Sequence, residues 1–199
     1  MDESSITHPD PAVNAVETAV LKATTIAARL QNRTARTLII AADTIVALDQ
    51  QMLGKPVDAA AAWEMLRALR HRQHEVQTGL VVLDVRSGQM TKRVNTAVVT
   101  MRNYTDEEIA TYVASGDPLD KAGAYAIQHP LFQPVAALTG CYTAVMGLSI
   151  CELILDSGWP EYPRQADLTA FAAAAHQAAG RYFPAPFMRS TTRKSSETC

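Results

Sequence analysis

Asp43 is the residue from which chemistry can be argued first. It lies in the stretch LIIAADTIVALDQQMLGKP, residues 38–56, whose first half is an Ile-, Val- and Leu-rich run bounded by turn residues. Such a run predicts a buried strand. A carboxylate inside it loses hydration and needs a cation, a metal or a set of donors to stay charged. Thr44 follows directly, and Lys55 stands between Gly54 and Pro56, where the proline keeps its backbone extended or turned. A strand carboxylate, a hydroxyl beside it and a fixed ammonium on the next loop are what phosphate and metal chemistry requires. The same residue types are equally consistent with Asp43 pairing with Lys55 or capping a loop.

Other candidates carry less. Lys22 falls in the second half of a predicted helix, where a lysine alone is ordinarily solvated. His71 and His74 stand three apart with no cysteine or acid at ligand spacing, and read as solvated turn residues. Cys141, Cys151 and Cys199 are odd in number and widely spaced, which gives neither a zinc motif nor a disulfide framework and points to a reducing compartment. Cys141 and Cys151 read as small core residues.

The elements that must position these groups follow from caps and periodicity. Asp10-Pro11 predicts a helix start, and Val13, Val16, Val20 and Leu30, with alanines between, predict one apolar face of a helix ending near Arg29. A strand is expected over 37–48, closed by a turn at Asp49-Gln50-Gln51. Asp58 caps a second helix carrying Trp63, Met65, Leu66 and Leu69, closed by Arg67, Arg70 and Arg72. Residues 75–85 and 90–102, joined by Arg86-Ser87-Gly88-Gln89, predict a long antiparallel hairpin. Thr105 to Glu108 form a capping box, opening a helix to Ser115 with Gly116 as its stop. A short strand is expected over 124–128, a loop over 129–134, and helical pieces over 143–147 and 149–156. From Pro160 onward Pro and Ala dominate; one more helix is expected over 166–181 and a disordered tail over 189–199. The fold class is therefore α/β, a mixed twisted sheet with a long antiparallel hairpin and flanking helices.

Composition bounds the function. The chain has 199 residues, 48% hydrophobic and 19% charged, with a formal net charge of −2. That is a globular domain able to bury its own core, with no basic surface for nucleic acid or anionic membrane. No apolar run approaches a membrane span, and the acidic opening MDESSITHPDP is not a secretory signal.

Four blocks, AADTIVALDQQMLGKP, HEVQTGLVVL, YVASGDPLDKAGAYAIQ and TGCYTAVMGLSICEL, together resemble the Maf-like nucleotide pyrophosphatases, relatives of the inosine triphosphate pyrophosphatases. The resemblance covers residues 1–158, leaving a Pro/Ala-rich extension over 159–188 and the tail over 189–199. The third block resembles the branch preferring dTTP and UTP rather than 7-methyl-GTP. The resemblance implies hydrolysis of a nucleoside triphosphate between its α and β phosphates, with a divalent metal, Mg2+, neutralising phosphate oxygens. It makes Asp43 the catalytic carboxylate, a candidate metal ligand together with the substrate phosphates. It places Glu3, Lys22, Thr44, Lys55 and Gln128 in the substrate site. It also implies a cytoplasmic protein whose partner is its nucleotide, with neither nucleic acid nor membrane, and leaves a homodimer open.

The chain departs from the family pattern in two places. Ala126 and His129 stand where small glycines are common, which alters the expected base pocket. Family members open with a strand and a Ser-x-Ser-Pro-Arg-Arg loop, whereas this sequence begins Met1-Asp2-Glu3-Ser4, where Val-Asp-Glu is usual. The expectation is that about 30 residues, the size of a βα unit, precede it in the true reading frame. The alternative is a truncated, weakly active relative serving as a nucleotide- or protein-binding module.

Overall fold

The apolar run around Asp43 is a strand near one edge of a five-stranded sheet. The computed structural model describes residues 5–30, 37–150 and 152–153. Helix α1 (Pro11–Arg29) precedes the strand, β1 (Leu38–Leu48). Then follow β2 (Gln51–Leu53), α2 (Ala59–Leu69), β3 (Gln73–Asp84), β4 (Met90–Met101), α3 (Asp106–Ala114), β5 (Val135–Thr139) and α4 (Tyr142–Val145). The sheet order is β2-β1-β3-β4-β5, and every pairing among the described strands is antiparallel. The α/β class, the long β3–β4 hairpin and the flanking helices are those expected. Residues 159–188 and 189–199 and the helix expected over 166–181 lie outside the described residues. Among the described residues no helix is long and apolar enough to cross a membrane.

Local chemistry sets the helix boundaries. The Asp10 carboxylate accepts from the amides of Ala12 (2.8 Å) and Val13 (3.3 Å), and that of Asp58 accepts from Ala61 (2.7 Å). Thr105 and Glu108 close a reciprocal capping box. Each cap satisfies amides that the first turn leaves without helical partners.

Two apolar layers sandwich the sheet. On one face α2 and α3 bury Leu66, Leu69, Ile109 and Tyr112 against Val46, Val76, Val99 and Met101. On the other, α1 buries Ala19 and Ala23 near Ile39, Val81 and Leu83. The buried face of α1 differs from the one expected. Asn14, Ala15, Thr18, Ala19 and Ala23 point inward, while Val13 is 37% exposed and Val20 and Leu30 only flank the core. Gly79 on β3 is the cause. A Cβ added there would lie 2.5 Å from the Ala15 carbonyl carbon, so helix backbone rests on strand backbone and only small side chains fit between.

Three local expectations are corrected. The turn after β1 is only Asp49-Gln50, both at positive φ (51° and 68°), so Gln51 already begins β2 in a tight hairpin. The strand expected over 124–128 does not form. A 3-10 turn over Ala122–Ala124, with Gly123 and Ala124 at positive φ, bends the chain, and the Ala126 amide donates to the Tyr112 hydroxyl (3.1 Å) instead of to a ladder. His74 is not a solvated turn residue: it lies on β3, 4% exposed. His71 is exposed, at φ 58°, and Cys141 is buried as expected, whereas Cys151 and Cys199 lie outside the described residues.

Candidate active site

The close approach at Gly79 decides what meets Asp43. Gly79 is the register partner of Asp43 across β1 and β3, so α1 passes over the sheet at that level. Asn14, Thr18 and Lys22 recur every four residues along α1 and share one face. The last of them reaches β1: Lys22 Nζ lies 2.6 Å from Asp43 Oδ1, with side-chain exposures of 26% and 19%. Of the two partners open at the sequence level, neither Lys55 nor a loop amide is the one shown. A charge-assisted bond of this length between partly buried groups fixes the direction of the carboxylate.

A cleft of about 260 Å³ opens beside Asp43, lined also by Asn14, Thr18, Thr44, Ile45 and the β2 edge from Met52 to Gly54. Asp43 is the one carboxylate among the described residues that line it. Thr44, the next residue of the strand, turns its side chain to the opposite face of the sheet. There its hydroxyl lies 2.8 Å from that of Thr78, which in turn donates to the Ala144 carbonyl at 2.8 Å. Thr78 has only one proton, so Thr44 is the donor in their bond and keeps only acceptor capacity. Thr44 therefore anchors α4 to β1 and cannot donate to a phosphate in this arrangement.

Lys55 is exposed on the loop after β2. The Gly123 amide donates to the Gly54 carbonyl (3.1 Å), tying that loop to the segment leading to Gln128. Gln128 itself is exposed on a turn. The structure thus brings Lys22 and Asp43 into contact and ties together the backbones that carry Lys55 and Gln128. Neither of these two side chains lines the cleft at Asp43. Glu3 lies outside the described residues.

The sequence matches the family model for Maf-like proteins over residues 1–155. The chain belongs to the Maf-like family. It is 42% identical over 147 residues to the dTTP/UTP pyrophosphatase of Dehalococcoides mccartyi (strain ATCC BAA-2100 / JCM 16839 / KCTC 5957 / BAV1), an alignment covering 74% of this chain and 66% of the relative. It is 45% identical over 155 residues to the dTTP/UTP pyrophosphatase of Geobacter sulfurreducens, covering 77% and 78%. The protein of that name from Syntrophotalea carbinolica is 41% identical over 152 residues, covering 76% and 68%. The chain therefore spans just under two thirds of the length of the first of these relatives.

Within this Maf-like chain, sequence reasoning missed the polar side chains of α1 beside Asp43 and the Thr78 hydroxyl on the opposite face. Thr78 is fully buried and Asn14 and Thr18 nearly so. A four-residue polar spacing ending on Lys22, beside the alanine spacing 15, 19, 23, was the available signal. His74 was missed as well. Its Nε2 lies 2.8 Å from the Tyr125 hydroxyl, and burial pulls its pKa down to about 4. It braces the backbone three residues before Gln128.

Proposed function

We propose that the chain hydrolyses nucleoside triphosphates, UTP and dTTP foremost, to the monophosphate and pyrophosphate. The Lys22–Asp43 contact beside the cleft carries this reading, and the names of the Maf-like relatives support the substrate class. Asp43 is the proton acceptor for the attacking water. As the water oxygen bonds to phosphorus, the bridging oxygen leaves with pyrophosphate and the water proton passes to the Asp43 carboxylate. Lys22 holds that carboxylate in place before substrate arrives, and its ammonium supplies positive charge for a phosphate oxygen. Lys55, exposed on the loop after β2, adds cationic charge from outside the cleft. The Gln128 amide offers a donor and an acceptor to a base edge.

Among the described residues no three ligand-type side chains cluster. The donor set therefore fits a Mg2+ carried by the triphosphate oxygens, with Asp43 as its protein carboxylate. When bound, the ion would neutralise phosphate charge and orient the reacting group. The setting we propose is the cytoplasm, where nucleotide pools are kept.

A substrate panel tests this. Pyrophosphate release in Mg2+ is expected to be fastest with UTP and dTTP, with the monophosphate as co-product. Faster turnover of 7-methyl-GTP or ITP, or release of orthophosphate alone, contradicts it.

A further inference from the structure

We propose that Thr18 is a substrate-contact residue, donating its hydroxyl to a phosphate oxygen of the nucleotide bound at Asp43. The proposal rests on the hydrolase reading above. Thr18 is 4% exposed and Asn14 9% exposed on the inner face of α1, where Ala15, Ala19 and Ala23 are fully buried. A hydroxyl among alanines costs desolvation unless it is well bonded. The bond Thr18 makes is poor: its Oγ1 lies 3.5 Å from Asn14 Oδ1, beyond the 2.5–3.0 Å typical of O–H···O bonds. Asn14 cannot improve it by turning over. Its Nδ2 donates to the His8 carbonyl at 3.1 Å, which fixes the amide with its oxygen towards Thr18.

Space exists for a better partner. Asn14, Thr18 and Asp43 line the same cleft of about 260 Å³, far more than the ~10–15 Å³ that one water needs. Thr18 is one turn before Lys22, about 6 Å along the axis. An anion drawn to the Lys22 ammonium and seated along this cleft passes the Thr18 hydroxyl, which lines it. Lys22 meets the cleft at Asp43, and none of the described residues lining the cleft carries a positive charge.

The test uses the isosteric Thr18→Val and the hydroxyl-retaining Thr18→Ser, with calorimetric titration of inorganic pyrophosphate in Mg2+ and KM for UTP. Thr18→Val is expected to weaken pyrophosphate binding and raise KM about tenfold, the effect of losing one hydrogen bond to a charged group. Thr18→Ser should stay within about twofold of the unaltered chain by the same reasoning. The melting temperatures of both should match the unaltered chain. Unchanged binding in Thr18→Val, or equal losses in both variants, overturns the role of the hydroxyl. If the unaltered chain binds pyrophosphate and Thr18→Val weakens it, yet UTP is not turned over, the hydrolase reading fails and the Thr18 contact stands. If the unaltered chain binds no pyrophosphate, both fail.

Discussion

At the scale of single residues, the two lysines make the sharpest contrast. Lys22 is bonded to Asp43 at 2.6 Å, whereas Lys55 is exposed. Lys22→Met should therefore lower both turnover and stability, the latter by about 1 kcal/mol for a partly exposed pair. Lys55→Met should lower turnover with the melting temperature unchanged. Thermal melts and pyrophosphate release on the two variants check this, and a stability loss in Lys55→Met would contradict it. Asp43 and Lys55 were legible in the sequence because an acid in an apolar run and a lysine before proline are local signals. The partner of Asp43 was not, because Lys22 is 21 positions away and meets it only through the packing of α1. Thr44 was legible as a neighbour of Asp43. Strand alternation alone sends it to the other face.

At the scale of elements, Gly79 holds α1 against the sheet and so holds Lys22 against Asp43. Gly79→Ala puts a methyl 2.5 Å from the Ala15 backbone, which neither partner can relieve by rotating a side chain. The helix must lift, at a cost of about 1–3 kcal/mol for overpacking. Denaturant melts should show that loss, and turnover should fall as the Lys22–Asp43 contact lengthens. A variant as stable and active as the unaltered chain would show that α1 is free to shift. The sequence marks α1, α2, α3 and the β3–β4 hairpin because caps and turn residues are local. It hides β2, whose tight turn uses Asp49 and Gln50 at positive φ instead of a glycine, with Arg72 bonded to Asp49 at 2.7 Å and 2.8 Å. It hides β5 too, where Ala136 and Ala137 give little strand signal and pairing with β4 supplies the order.

At the scale of the whole molecule, stability depends on pH through His74. Its pKa falls from 6.5 to about 4 on folding because burial disfavours the charged ring. The unfolded chain then binds the proton more readily, so the contribution is complete above pH 6.5 and is lost as pH falls towards 4. The shift corresponds to about 3 kcal/mol across that window. The denaturation midpoint should drop more steeply between pH 6.5 and 4 in the unaltered chain than in His74→Gln, which has no titrating ring. Parallel curves would show that the ring does not titrate on unfolding.

The central claim is that the acid held by α1 within the sheet is the working group of a triphosphate hydrolase. The most direct measurement is the rate of pyrophosphate release from UTP in Mg2+ by the unaltered chain and by Asp43→Asn, with a thermal melt of each. A loss of about 10²–10⁴-fold in rate, the range for removing a general base, is expected while the variant remains folded. A folded Asp43→Asn that releases pyrophosphate within a few-fold of the unaltered chain would contradict the account.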